Sequence, residues 1–217
     1  EMCIRDSVKS ISITIYRLSK LSNVASALIQ AVRNGKRVTV QIELQARFDE
    51  EANIGYAEEM KKEGINLIFG VPGLKVHSKI CVVHRIEGDL LKRYGFISTG
   101  NFNEDTAKIY TDYTLFTSHQ PILKEVEKVF RFLEASYKIN KYKHLVVSPH
   151  STSSFFTSLI EQEITLVKKG KKGLIKLKMN SLTNYNIIEK LYDASRAGVK
   201  IQLIVRGVCC LIPGVKG

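Results

Sequence analysis

The run Lys75-Val76-His77-Ser78-Lys79-Ile80-Cys81-Val82-Val83 sets the reading of the whole chain. Its apolar second half predicts a β-strand, and on an extended segment residues two apart point to the same side. His77 and Lys79 are therefore expected to share one face, an imidazole nucleophile or base beside a fixed positive charge. That pairing suits attack on phosphorus: the ammonium holds phosphoryl oxygens while a ring nitrogen attacks to give a phosphohistidine. Ser98-Thr99-Gly100-Asn101, after the next strand, offers backbone and amide donors to the same oxygens. A bare His-x-Lys describes many surface histidines, and the coupled Thr-Gly-Asn loop is what lifts this one above them.

Outward from this run, strand and helix patterns alternate. Residues 11–16 alternate with period two, and 38–44, 65–69, 94–97 and 111–116 read as further strands. Ser22 is expected to cap a helix running to about Asn34, closed by a left-handed Gly35. Asp49 is expected to open a second helix, acidic at its start (Glu50, Glu51), basic at its end (Lys61, Lys62) and stopped by Gly64. An amphipathic helix is expected over 121–136, with Ile122, Val126, Val129, Phe130 and Leu133 on its core face. Residues 138–143 read as a linker.

A repeat underlies this order. Residues 27–40 align without gaps on 190–203 at an offset of 163, Gly35 falling on Gly198 and Leu28, Ala31 and Arg33 on Leu191, Ala194 and Arg196. Carried upstream, the offset lays the strand at Ile11 on Leu174. Two copies of one α/β domain are expected, and the counterpart of His77 would fall beyond Gly217.

The 217 residues carry 33 Lys and Arg against 21 Asp and Glu, a net charge of +12, with 44% hydrophobic residues to build a core. The surplus favours polyanionic partners (nucleic acid, anionic membrane, polyphosphate) without choosing among them. No apolar run reaches the roughly 18 residues of a membrane helix, and no secretory pattern is present. Cys3, Cys81, Cys209 and Cys210 lack metal or redox spacing. Cys81 is expected in the core, and adjacent Cys209-Cys210 packed inside as well. Lys168-Lys169-Gly170-Lys171-Lys172 is expected to be a solvated turn.

Several stretches resemble the polyphosphate kinase family, in order and at family-like spacing from about Val8 onward. They are Leu44-Gln45-Ala46-Arg47-Phe48-Asp49-Glu50-Glu51-Ala52-Asn53, Gly70-Val71-Pro72-Gly73-Leu74-Lys75-Val76-His77-Ser78-Lys79, Thr99-Gly100-Asn101-Phe102-Asn103-Glu104, Ile109-Tyr110-Thr111-Asp112-Tyr113 and Leu203-Ile204-Val205-Arg206-Gly207. Ser78 and Ser98 depart from the family's usual Ala and Gly, and both are small enough to be tolerated. The catalytic half of that family is built like phospholipase D. The resemblance implies an α/β fold: a phospholipase D-like mixed sheet with flanking helices, in two tandem copies, the second truncated. The first domain is expected over 8–144 and the second over 145–217. Residues 1–7 are set aside as foreign, and the whole is read as an internal piece of a longer enzyme.

The resemblance also distributes roles. His77 is the expected phosphohistidine nucleophile with Lys79 as its catalytic partner. Lys75 and Lys79 should keep the imidazole neutral while holding phosphate. Tyr110 matches a nucleotide-contacting tyrosine and Arg206 a phosphate-binding arginine, although the repeat aligns Arg206 with Glu43. Asn101 and Asn103 are expected in the site loop, and Asp112 is expected to orient His77 or Lys79. Arg17 and Arg47 follow strand ends, where ligands bind in open α/β sheets, and match family Mg2+ positions. A guanidinium has no lone pair for a metal, so they are expected to grip magnesium-bound phosphate. His84 stands where phospholipase D enzymes carry an Asp, faces away from His77, and is expected to be structural.

The activity implied is reversible transfer of the ATP γ-phosphate to the end of a polyphosphate chain, with Mg2+ as cofactor and ATP, ADP and polyphosphate as partners. A cytoplasmic homo-oligomer is expected at full length, with no nucleic acid partner and at most peripheral membrane contact. The rivals are a phospholipase D-like phosphodiesterase or nuclease, and a non-enzymatic basic nucleic-acid-binding domain.

Overall fold

The computed structural model describes residues 7–44, 50–136 and 140–215. The chain divides into two compact units, Glu1–Leu145 and Val146–Gly217.

In the first unit, β1 (Val8–Ile15), β2 (Arg37–Ile42) and β3 (Asn66–Phe69) run parallel, while β4 (Lys79–Glu87), β5 (Leu90–Ser98) and β6 (Thr114–Thr117) continue the sheet antiparallel. The strand order is β3-β2-β1-β4-β5-β6. Helix α1 (Asn23–Arg33) starts where expected: Ser22 Oγ accepts the Ala25 N–H at 3.2 Å, and Gly35 follows its end at φ +74. Ala25, Leu28 and Ile29 of α1, with Ala57 and Met60 of α2 (Glu50–Lys62), close over Ile13, Ile15, Val38, Val40 and Ile42 on one face of the sheet. Such alternating apolar faces are the main source of stability here. Helix α3 (Gln120–Glu134) covers the other face, where Leu123 fits against Gly95; a Cβ on that glycine would lie 2.9 Å from the Leu123 side chain.

Some expectations shift. β5 begins four residues before the expected 94, because it forms a hairpin with β4 through a turn at Gly88, φ +59. β6 begins at Thr114 rather than 111. On α3, Leu123 and Phe132 are buried and Ile122 is only half-buried. The expected linker is tied down at its far end: buried Glu125 accepts the backbone N–H groups of Lys143 (2.6 Å), His144 (2.8 Å) and Leu145 (2.9 Å). Ser7, set aside at the sequence level, accepts a hydrogen bond from Arg85 Nε at 2.8 Å.

The second unit holds α4 (Thr152–Lys168), β7 (Leu174–Met179), α5 (Tyr185–Arg196) and β8 (Lys200–Val205), with β7 and β8 parallel. Helix α4 has no counterpart among the expected elements. The repeat is real but slips at its first strand. Ile11 pairs Val38 in the first unit, and the residue that pairs Ile201 in the second is Ile175, not Leu174. The offset is thus one residue larger in β7 than in β8. Burial requires this, because a one-residue slip moves every side chain to the other face; Ile175 is buried while Leu174 is 46% exposed. At the strand ends the equivalence is clean. Glu43 N donates to Ile15 O, and Arg206 N to Met179 O. Cys209 and Cys210 are exposed beyond β8, contrary to expectation: their backbone bridges Leu182 while their side chains face solvent.

Candidate active site

β4 runs antiparallel to both β1 and β5, so β1 and β2 end, β4 begins and β5 ends at one edge of the sheet. Arg17, Glu43, the segment before Lys79 and the loop after Ser98 all converge there.

His77 does not lie on the strand. Pairing starts at Lys79, and His77 is exposed while Lys79 is buried, 3% exposed. Both side chains still meet at the Tyr16 ring, but His77 reaches it from a segment outside the strand, and Thr14 is the physical reason. Its Oγ1 donates to Ser78 O at 2.7 Å and accepts the Ile80 N–H at 3.0 Å, taking over the ladder positions and turning the chain out of the sheet just before Ser78. Lys79 still serves His77, because its Nζ donates to the His77 carbonyl oxygen at 2.7 Å. Glu43, buried at the end of β2, accepts the Val76 N–H at 3.3 Å. The backbone on both sides of the imidazole is thereby pinned.

The ring itself packs on Tyr16, with centroids 4.6 Å apart and planes at 74°. Around the same tyrosine stand Lys79 Nζ (4.9 Å from the ring centroid), Arg17 Cζ (5.6 Å) and Lys75 Nζ (5.8 Å). Burial pushes the His77 imidazole below its ordinary value, and Lys79, Arg17 and Lys75 push it the same way. A neutral ring with a free lone pair near pH 7 follows, the form a nucleophile needs. Burial and then Arg17 lower the Lys79 ammonium to about 8, with Asp112 acting in the opposite direction.

The loop after β5 is built by its polar side chains. Thr99 Oγ1 donates to Asp112 Oδ1 at 2.7 Å, and Gly100 lies so close that a Cβ there would sit 2.7 Å from Asp112 Oδ2. A larger residue there would have to push the Asp112 carboxylate aside. Asn101 Oδ1 is shielded from solvent and, among the described residues, accepts no hydrogen bond. Turned over about its last bond, the amide would aim a donor there instead. Asn103 is occupied structurally, its Oδ1 accepting the Asp105 and Thr106 N–H groups at 3.1 and 2.9 Å. Ser98 Oγ accepts the Gly100 N–H at 3.1 Å. Tyr110 is 54% exposed in the loop leading to β6. Arg206 follows β8 in the second unit and is exposed. Arg47 lies outside the described residues. His84 hydrogen-bonds Ser10 Oγ through Nδ1 (2.9 Å) and Glu127 through Nε2, and Glu127 also pairs with Arg93, so it braces β1, β4, β5 and α3.

Two contributors escaped the sequence reading. Tyr16 reads there as one more alternating strand residue. Asn53 sits in the early turns of α2 with 0% exposure. Its Nδ2 donates to Tyr16 O (3.0 Å) and Glu43 O (2.8 Å), and its Oδ1 accepts the Leu18 N–H (3.1 Å). It clamps the ends of β1 and β2 together and so aims Tyr16 and Arg17. A polar residue on the inward face of an amphipathic helix was the available signal.

Among the described residues no group of three or more His, Cys, Asp or Glu side chains is arranged to hold a metal. The groups around His77 are cations, which fit phosphate oxygens rather than Mg2+.

Fold and edge together define a mixed α/β domain that presents one cation-ringed histidine, followed by a second unit carrying the same strand–helix–strand order. Residues 1–139 match the family model described as polyphosphate kinase C-terminal domain 1, and residues 145–217 that described as polyphosphate kinase C-terminal domain 2. A polyphosphate kinase of Vibrio parahaemolyticus is 50% identical over 210 residues, covering 97% of this chain and 30% of that protein. The polyphosphate kinase of Escherichia coli K12 is 44% identical over 211 residues, 97% of this chain and 31% of that one. The crystal structure of polyphosphate kinase from Porphyromonas gingivalis superposes with a TM-score of 0.83 at 44% identity, over 96% of this chain and 35% of that one. The chain belongs to the polyphosphate kinase family. It spans about 30% of the length of these curated relatives.

Proposed function

We propose that this chain carries the phosphoryl-accepting histidine of a polyphosphate kinase, which moves the γ-phosphate of ATP reversibly to the end of a polyphosphate chain. The observation that carries the reading is His77 itself: lowered in basicity, backbone-pinned, and set among Lys75, Lys79 and Arg17.

A neutral ring nitrogen attacks the γ-phosphorus in line. The N–P bond forms as the bond to the β,γ-bridging oxygen breaks, and ADP leaves with that electron pair. The terminal oxygen of polyphosphate then attacks phosphorus, the N–P bond breaks, and the imidazole returns neutral. Lys75, Lys79 and Arg17 offset the charge spread over the phosphoryl oxygens, and positioning supplies most of the remainder. Arg17 would grip the nucleotide phosphates, and Mg2+ bound to them would supply further charge neutralisation. Tyr110 contacts the nucleotide base, and Arg206 and Asn101 bind phosphate. The same reading places the protein in the cytoplasm as a homo-oligomer, with no nucleic acid partner.

A phosphodiesterase is disfavoured because His84, where such enzymes carry an Asp, is engaged by Ser10 and Glu127. The test is a side-by-side assay of γ-labelled ATP with polyphosphate against a phosphodiester ester. Label entering polyphosphate, with the diester untouched, is expected; diester cleavage without labelled polymer would overturn the reading.

A further inference from the structure

We propose that Tyr16 is the positioning residue for His77, an inference that rests on the phosphohistidine reading and names what holds the ring before phosphate arrives. Among the described residues no hydrogen bond reaches the His77 ring. The usual orienting carboxylate or carbonyl on the second ring nitrogen is replaced by the edge-to-face contact with Tyr16, 4.6 Å between centroids. His77 is exposed and lies in a segment outside the sheet, whereas Tyr16 is 8% exposed and follows β1 directly. Its carbonyl is held by Asn53 Nδ2. With the His77 backbone already pinned, the buried Tyr16 ring orients the exposed imidazole.

The same ring has a second task. Lys79, Arg17 and Lys75 all come within 6 Å of its centroid, at 4.9, 5.6 and 5.8 Å. The negative face of an aromatic ring attracts such cations, so Tyr16 gathers them in the absence of an anion and leaves them beside the imidazole that will receive one. A phenyl ring meets both demands. An aliphatic side chain of similar size meets neither.

The test uses the 217-residue chain with Tyr16→Phe and Tyr16→Leu, and phosphoramidate as a small phosphoryl donor. Carbon-edited NMR on the unsubstituted chain is expected to show cross-peaks between the Tyr16 and His77 rings and upfield-shifted imidazole protons. Tyr16→Phe is expected to keep His77 phosphorylation within about threefold, while Tyr16→Leu loses about tenfold or more in the maximal rate with little change in donor KM. A folded Tyr16→Leu at the unsubstituted rate, a Tyr16→Phe that falls as far as Tyr16→Leu, or absent ring cross-peaks would each overturn the proposal. If Tyr16→Leu does not fold, the cross-peaks and Tyr16→Phe still decide. Ring contact without any phosphorylation of His77 would sink the phosphohistidine reading while leaving the contact standing.

Discussion

Replacing Asn53 with alanine should damage both the stability and the chemistry of the first unit. The side chain is fully buried, 0% exposed, and makes three hydrogen bonds to backbone: to Tyr16 O at 3.0 Å, to Glu43 O at 2.8 Å and from Leu18 N at 3.1 Å. Truncation strands two carbonyls and one N–H that have no water to turn to. At about 1 kcal/mol for each orphaned group, the loss is about 3 kcal/mol. For a unit of this size that corresponds to a fall of about 6–12 °C in the melting temperature. Urea titration and thermal melts of the chain and its variant measure it. Asn53→Asp is the sharper probe, since it keeps the acceptor for Leu18 but sets a carboxylate oxygen against the two carbonyls. It should cost at least as much as alanine. Because Asn53 also aims Tyr16 and Arg17, phosphoryl transfer to His77 should weaken under conditions where the variant is still folded. A loss below about 1 kcal/mol, or a well-tolerated aspartate, would refute the clamp.

The pH dependence of kcat/KM should be bell-shaped: activity falls on the acid side as His77 protonates, below the ordinary histidine range, and on the alkaline side as Lys79 loses its proton near 8. Lys79→Arg, which stays charged, should flatten the alkaline limb. Gly100→Ala drives a methyl to 2.7 Å from Asp112 Oδ2 and should lower phosphoryl transfer by about tenfold through displacement of the loop, read as initial rates beside an unchanged circular dichroism spectrum. For Glu125, burial raises the carboxyl, but the N–H groups of Lys143, His144 and Leu145 outweigh it and the net shift is downward. The stability this confers is therefore complete above the unfolded value of about 4.3 and is lost as pH falls through the lower folded value. Glu125→Gln should remove that acid-side dependence in a pH series of urea midpoints.

Much of the architecture was readable because local signals agreed with the fold. Ser22, the alternation through Ile11, Ile13 and Ile15, the dipole-matched charges of α2 and the glycine at 35 each say what the structure shows. The site was legible as chemistry but not as geometry. His77 and Lys79 were found by residue type and do meet at Tyr16, yet His77 lies off the strand because Thr14, distant in sequence, competes for the ladder hydrogen bonds at Ser78 and Ile80. Tyr16 and Asn53 were invisible as functional residues, since what each does depends on groups brought near only by folding. Helix α4 went unread although Phe156, Ile160, Ile164 and Val167 recur at helical spacing, and Ile160, Ile164 and Val167 pack into the core of the second unit. The repeat was found through α1 and β2, but its first strand was misplaced by one residue; gapless alignment cannot register a change in loop length, whereas burial can.

The central claim is that phosphorus sits on His77 in mid-reaction. Brief incubation with γ-labelled ATP, quenching in alkali and peptide mapping by mass spectrometry should find an acid-labile phosphoryl group on His77, absent after His77→Gln and discharged when polyphosphate is added. Label on another residue, or polymer growth from ATP that survives His77→Gln undiminished, would contradict it.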